Sequence, residues 1–105
     1  MPKIFAYRND FLNTIPPGGT LYVFVGPLDQ FAEGAITVTA HPNTSPVHPS
    51  RQLMEVIQMS VRASRLNPDT GSWLDIIVRN NGDRASLGGY TIDGFSLYTS
   101  VIVPD

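Results

Sequence analysis

His41 and His48 are the two histidines of this 105-residue chain, seven positions apart, each followed by a proline (Pro42 and Pro49). Metal binding would require a third and usually a fourth ligand at defined geometry. No His-x-His pair, carboxylate cluster or cysteine supplies them, so both histidines read as loop residues and no cofactor is expected. Acyl-transfer chemistry would need a nucleophile, a base and an orienting group, and glycoside hydrolysis two facing carboxylates. No serine sits in a Gly-x-Ser-x-Gly elbow, and Asp29, Glu33, Asp69, Asp83 and Asp93 all fall in or beside turn-forming segments. Asp69-x-Gly71 and Asn80-Asn81-Gly82-Asp83 carry oxygen donors, but fewer than the roughly six to eight that calcium takes. Calcium shared among several loops at one end of the fold is the arrangement that spacing leaves open. The expectation is a domain that is not an enzyme.

The aromatic residues carry more information. Trp73 has the parity of Asp75 and Arg79, opposite to that of Leu74, Ile76 and Val78, so its indole points away from the apolar face of its strand. Tyr22 and Phe24 share one face of an earlier strand, and Tyr98 lies on the non-core face of the last. If these faces adjoin, Trp73, Tyr22 and Tyr98 form an exposed aromatic patch with Asp75 and Arg62 beside it, suited to a glycan ring or to another protein. The alternative is an outer face packed under loops, or a register displaced by one residue.

The elements that must position these residues are strands. Strict alternation of β-branched and aromatic residues recurs along the chain, and no segment keeps apolar residues at helical spacing over three turns. The first expected strand is Lys3 to Arg8, and the breaker Ile15-Pro16-Pro17-Gly18-Gly19-Thr20 cannot lie inside a central strand. Leu21 to Val25 is apolar on both faces and reads as a central strand. Ile36, Val38 and Ala40 alternate with Thr37 and Thr39 in a third, its hydroxyls outward. His41 to Gln52, with Pro42, Pro46 and Pro49, reads as an extended crossover.

From Val56 to Arg65 the pattern puts Ile57, Met59, Val61 and Ala63 on one face; Arg51 to Met59 has helix-forming residues as a rival reading. Asn67-Pro68-Asp69-Thr70-Gly71 is a turn, with Gly71 free to take a positive φ. It predicts a hairpin to Ser72–Asn80 in which Ala63 meets Leu74, Val61 meets Ile76 and Arg62 stands opposite Asp75. Asn80-Asn81-Gly82-Asp83-Arg84 is a second turn cluster. Tyr90 to Val103 is two strands or one bent strand, with Gly94 as the kink.

Composition bounds the partners. Forty-two percent of residues are apolar, 15% are charged, and 7 basic side chains stand against 9 acidic ones. A chain this size buries about two thirds of its unfolded surface, enough for one core and one domain. Six arginines and one lysine are scattered without a basic stripe, which argues against nucleic acid as a partner. The N-terminus breaks into charges before any apolar run reaches export-signal length, and no run approaches the roughly 20 residues of a membrane helix.

Pro16-Pro17-Gly18-Gly19-Thr20-Leu21-Tyr22-Val23 and Leu74-Asp75-Ile76-Ile77-Val78-Arg79-Asn80-Asn81-Gly82 resemble segments of bacterial immunoglobulin-like adhesion and spacer modules, over 17 residues of the chain. The resemblance implies a Greek-key sandwich with a non-catalytic binding or spacing role. Asn67-Pro68-Asp69-Thr70-Gly71-Ser72-Trp73 is similar to the Asn-Pro-x-Thr-Gly loop of chagasin-type cysteine-protease inhibitors. In that family the loop comes early and an Arg-Pro-Trp motif follows; here it comes late and the motif is absent. The expectation is an all-β antiparallel sandwich of six or seven strands, immunoglobulin-like or jelly-roll-like. It would act as a protein-interaction or self-assembling module through a sheet face or free edge, or alternatively as a small lectin using its exposed aromatics.

Overall fold

A computed structural model of the chain describes residues 1–43, 54–64, 71–81 and 91–105. Among them are six strands: β1 (Lys3–Ile15), β2 (Thr20–Val25), β3 (Ala35–Pro42), β4 (Met54–Ser64), β5 (Gly71–Asn80) and β6 (Ile92–Val103). They form two three-stranded antiparallel sheets, here the back sheet, ordered β1-β6-β3, and the front sheet, ordered β2-β5-β4. Both sheets contribute to one hydrophobic cluster. Leu74, Ile76 and Val78 of β5 meet Phe95, Leu97 and Val101 of β6 there, with Ile15, Ile92 and Phe31. Each such side chain contributes about 1.5–3 kcal/mol when fully withdrawn from water.

β5 and β6 are the central strands because both alternate with apolar residues on the inner parity. β5 is buried at every even position from Ser72 to Asn80. β1 runs seven residues past the Arg8 expected from alternation, to Ile15, because it follows β6 along nearly its whole length. Its pairing slips between Phe11 and Thr14, opposite Gly94. Gly94 has φ +88°, and a Cβ there would stand 2.5 Å from Asn43 Nδ2 and 3.1 Å from the Phe11 carbonyl oxygen. The kink leaves β6 as one bent strand. Asn43 holds the bend, its backbone N–H donating to the Gly94 carbonyl (3.0 Å) and its amide to the Asp93 carbonyl (3.1 Å).

Several expectations are corrected. β2 is an edge strand, with Tyr22 and Phe24 exposed. An apolar residue on both faces marks a central strand only if both faces are covered, and here the outer one is open. In the β4–β5 hairpin Val61 meets Leu74 and Met59 meets Ile76, so Arg62 stands opposite Trp73. The register differs by two residues from that expected, an even displacement that keeps every side chain on its face. Residues 65–70, where the Asn67–Gly71 turn was expected, lie outside the described residues, as do residues 44–53 of the expected crossover, with His48, and residues 82–90. A bulge falls between Val56 and Gln58, and it expels Ile57, expected inward, to the exterior. Val61 and Ala63 keep the inner parity but are exposed at the open edge of β4. Met54 onward is strand, not helix.

Asn80 ends β5, as expected of its strand, and belongs to the frame. Its side chain is fully buried at the end of β5, where Nδ2 donates to the Ile15 carbonyl at 2.9 Å. Its backbone N–H donates to the Gly19 carbonyl (3.0 Å) and its carbonyl accepts from Gly18 N–H (2.8 Å). The Pro-Pro-Gly-Gly connector that carries the chain from the back sheet to the front one is thereby fastened to β5.

Candidate functional site

On the outer face of the front sheet the strand register sets three rows. Tyr22 lies across from Ile77 and Gln58, Phe24 from Asp75 and Ser60, and Trp73 from Arg62. Side chains at i and i+2 share a face, so Tyr22 and Phe24 on β2 and Trp73 and Asp75 on β5 must converge. Phe24 is the hub, with its ring centroid 6.0 Å from that of Tyr22 and 5.6 Å, edge to face, from that of Trp73. The Arg62 guanidinium lies 5.4 Å from the centroid of the Trp73 ring. Tyr22 and Phe24 are 53% and 54% exposed, whereas Trp73 is half-buried among its neighbours.

Asp75 ties the polar groups together. The Tyr22 hydroxyl donates to Oδ1 at 2.5 Å and Arg62 Nε donates to Oδ2 at 3.0 Å. The expected Arg62–Asp75 pair thus forms along a diagonal of the sheet and not directly across it. Partial burial acts to raise the Asp75 pKa, but the two donors and the guanidinium charge outweigh it and hold the carboxyl below its ordinary value. The same bond to Asp75 raises the Tyr22 phenol and the Arg62 guanidinium. Each group of the trio favours the protonation state that keeps the network closed.

Of the five candidate site residues, Trp73, Tyr22, Asp75 and Arg62 come together and Tyr98 does not. Tyr98 lies on the outer face of the back sheet, opposite Arg8 and Thr39, with the whole core between it and the others. Its non-core parity was legible in the sequence, but which sheet β6 joins was not. There it meets the His41 ring edge-on at 4.7 Å and lies under Arg8, 5.6 Å from the guanidinium carbon.

That back face also gathers residues that spacing could not associate. Asp10, Ser96 and His41 lie in one row across three strands. Ser96 Oγ donates to Asp10 Oδ1 at 2.6 Å, Arg8 Nε donates to the same oxygen at 2.9 Å, and His41 Nε2 pairs with Thr39 Oγ1 at 3.1 Å. The bonds from Ser96 and then Arg8 hold Asp10 below the ordinary carboxylate value. The Ser96 hydroxyl is thus turned to Asp10, and the His41 ring to Thr39. Among the described residues no group of three or more His, Cys, Asp or Glu could hold a metal, and no helix is long and apolar enough to cross a membrane.

Two clefts, of about 560 and 470 Å³, are lined by residues outside the aromatic face. One is lined by Ala32, Gly34, Ala35 and Ile102, the other by Lys3, Phe5, Asp29, Glu33 and Asp105. Neither reaches the aromatic face. Set beside known proteins, the chain matches no family model, no curated protein and no solved structure.

Proposed function

We propose that this domain is a non-enzymatic interaction module, an immunoglobulin-like or jelly-roll-like β-sandwich that engages another protein through the outer face of its front sheet. The reading is carried by one observation: Tyr22, Phe24, Trp73 and Arg62 interlock on an open sheet face. Tyr, Trp and Arg are the residues that dominate binding energy at protein interfaces, because they bury large area at little conformational cost. The topology favours the jelly-roll member of the pair, since β1·β6 encloses β2·β5 as nested pairs, although β3 joins β6 and not β4.

A lectin is the second reading, favoured by an indole beside an aspartate. Against it, Asp75 is already engaged by Tyr22 and Arg62 through both oxygens, so a sugar hydroxyl would compete with that network. A photo-crosslinking amino acid placed at Phe24, or at Thr37 on the back face, separates the readings. Discrete protein adducts from position 24 alone, lost in Trp73→Ala, are the expected result. Equal adducts from both positions, or none from position 24 together with retention on a glycan array, would overturn the proposal.

A further inference from the structure

The free edge of the back sheet points to the occupant of a second surface. Of the four edge strands, β2 is short, β4 is interrupted by the bulge at Ile57, and β3 lies alongside β4 and ends in Pro42. β1 keeps regular register with β6 from Lys3 to Phe11, without proline. Among the described residues no strand pairs with its other side, which leaves a template for one more strand. Its outward side chains include the charged Arg8 and Asp10 and the apolar Leu12, which is 90% exposed.

The sequence of this edge is self-complementary about Asn9. In Ala6-Tyr7-Arg8-Asn9-Asp10-Phe11-Leu12 the residues on either side of Asn9 mirror one another as cation and anion, aromatic and aromatic, aliphatic and aliphatic. An antiparallel pairing of β1 with itself about a two-fold axis through Asn9 sets Arg8 of each copy opposite Asp10 of the other, Tyr7 opposite Phe11, and Ala6 opposite Leu12. Parity is kept throughout, so the charges meet on the outer face and the aromatics on the inner one.

We infer that two copies of this chain join through their β1 edges, centred on Asn9, to make a continuous six-stranded back sheet. This takes up the self-assembling half of the interaction-module reading and rests on it, but uses a surface remote from the aromatic face. The exchange of Arg8–Asp10 bonds within a strand (2.9 Å) for bonds between copies conserves charge pairing, and an isologous contact of this kind closes at two.

The test is the mass of the full chain in solution, by sedimentation, for the wild type, Arg8→Asp, Asp10→Arg and an equimolar mixture of the two variants. A wild-type dimer is expected, with each single variant dimerising at least about tenfold more weakly because both cross-axis pairs become like-charged. The mixture should restore the dimer as a heterodimer. A monomeric wild type, or a dimer indifferent to both variants, would overturn the inference. Should either charge variant lose its β circular dichroism, cysteine cross-linking decides in its place. Asn9→Cys should oxidise to a covalent dimer while Tyr7→Cys does not, and the reverse outcome would overturn the register. Trp73→Ala should leave the dimer intact, so failure here and failure of the aromatic face are told apart.

Discussion

Replacing Asn80 tests how the two sheets are fastened together. Its amide is fully buried and donates to the Ile15 carbonyl at 2.9 Å. In Asn80→Ala that carbonyl loses its donor inside the core, which costs about 1–3 kcal/mol, and the vacated volume adds a cavity cost. The expected loss is about 2–4 kcal/mol in urea unfolding, with an unchanged m-value. Asn80→Asp is the sharper probe. It has nearly the same shape, but when ionised it sets a carboxylate oxygen against a carbonyl oxygen in a dry site, and only the protonated acid can donate as the amide does. Burial raises the folded pKa of that aspartate above its unfolded value near 3.9. Native-like stability is therefore present below the unfolded pKa and is lost as pH rises through the folded one. Urea midpoints measured from acid to neutral pH should fall steeply for Asn80→Asp relative to the wild type. Parallel profiles, or an Asn80→Ala variant as stable as the wild type, would refute the fastening role.

Three further outcomes are expected. In an ultraviolet titration of the four tyrosines, one should ionise late in the wild type and earlier in Asp75→Asn, because Tyr22 is raised chiefly by its bond to Asp75. That bond contributes stability up to the unfolded tyrosine pKa near 10 and loses it as pH rises through the folded value. The depressed Asp75 contributes above its unfolded pKa and loses its share as pH falls through the folded value. Trp73→Ala should lower stability by about 1–3 kcal/mol through the lost contacts with Arg62 and Phe24, read from the urea midpoint, while leaving the far-ultraviolet spectrum that of a β protein. Gly94→Ala should lower the melting temperature, since φ +88° and the Asn43 amide both oppose a Cβ; an unchanged value would mean that Asn43 moves aside at no cost.

How much of this was legible in the chain follows from the period of a strand. Alternation at Leu74, Ile76 and Val78 and at Leu97 and Val101 marked the inner faces of β5 and β6, and the same parity turned Trp73 outward, because successive side chains on a pleated backbone must alternate. Phe24 could have been found as a site residue by the signal that found Tyr22, two positions earlier on the same face. Parity is also why the hairpin kept its faces although its register differs from the expected one by two residues.

Parity is a local property, and it carries no information about neighbours. The sequence by itself determined that the chain is built of strands, which faces of β5 and β6 are dry, that Trp73 and Tyr98 are on outer ones, and that Tyr22 and Phe24 share a face. Only the tertiary structure decided that β2 joins β5 while β6 joins β1 and β3, so that Tyr22 reaches Asp75 across 53 residues and Tyr98 is carried to the opposite side. The same long-range packing set the Asn80 amide against the Ile15 carbonyl, and the pairing of β4 with β5 carries the bulge that expels Ile57. The physical reason is that strand order is settled by the pairing and packing of segments far apart in the chain, and no short window of residues records which edge another segment will cover.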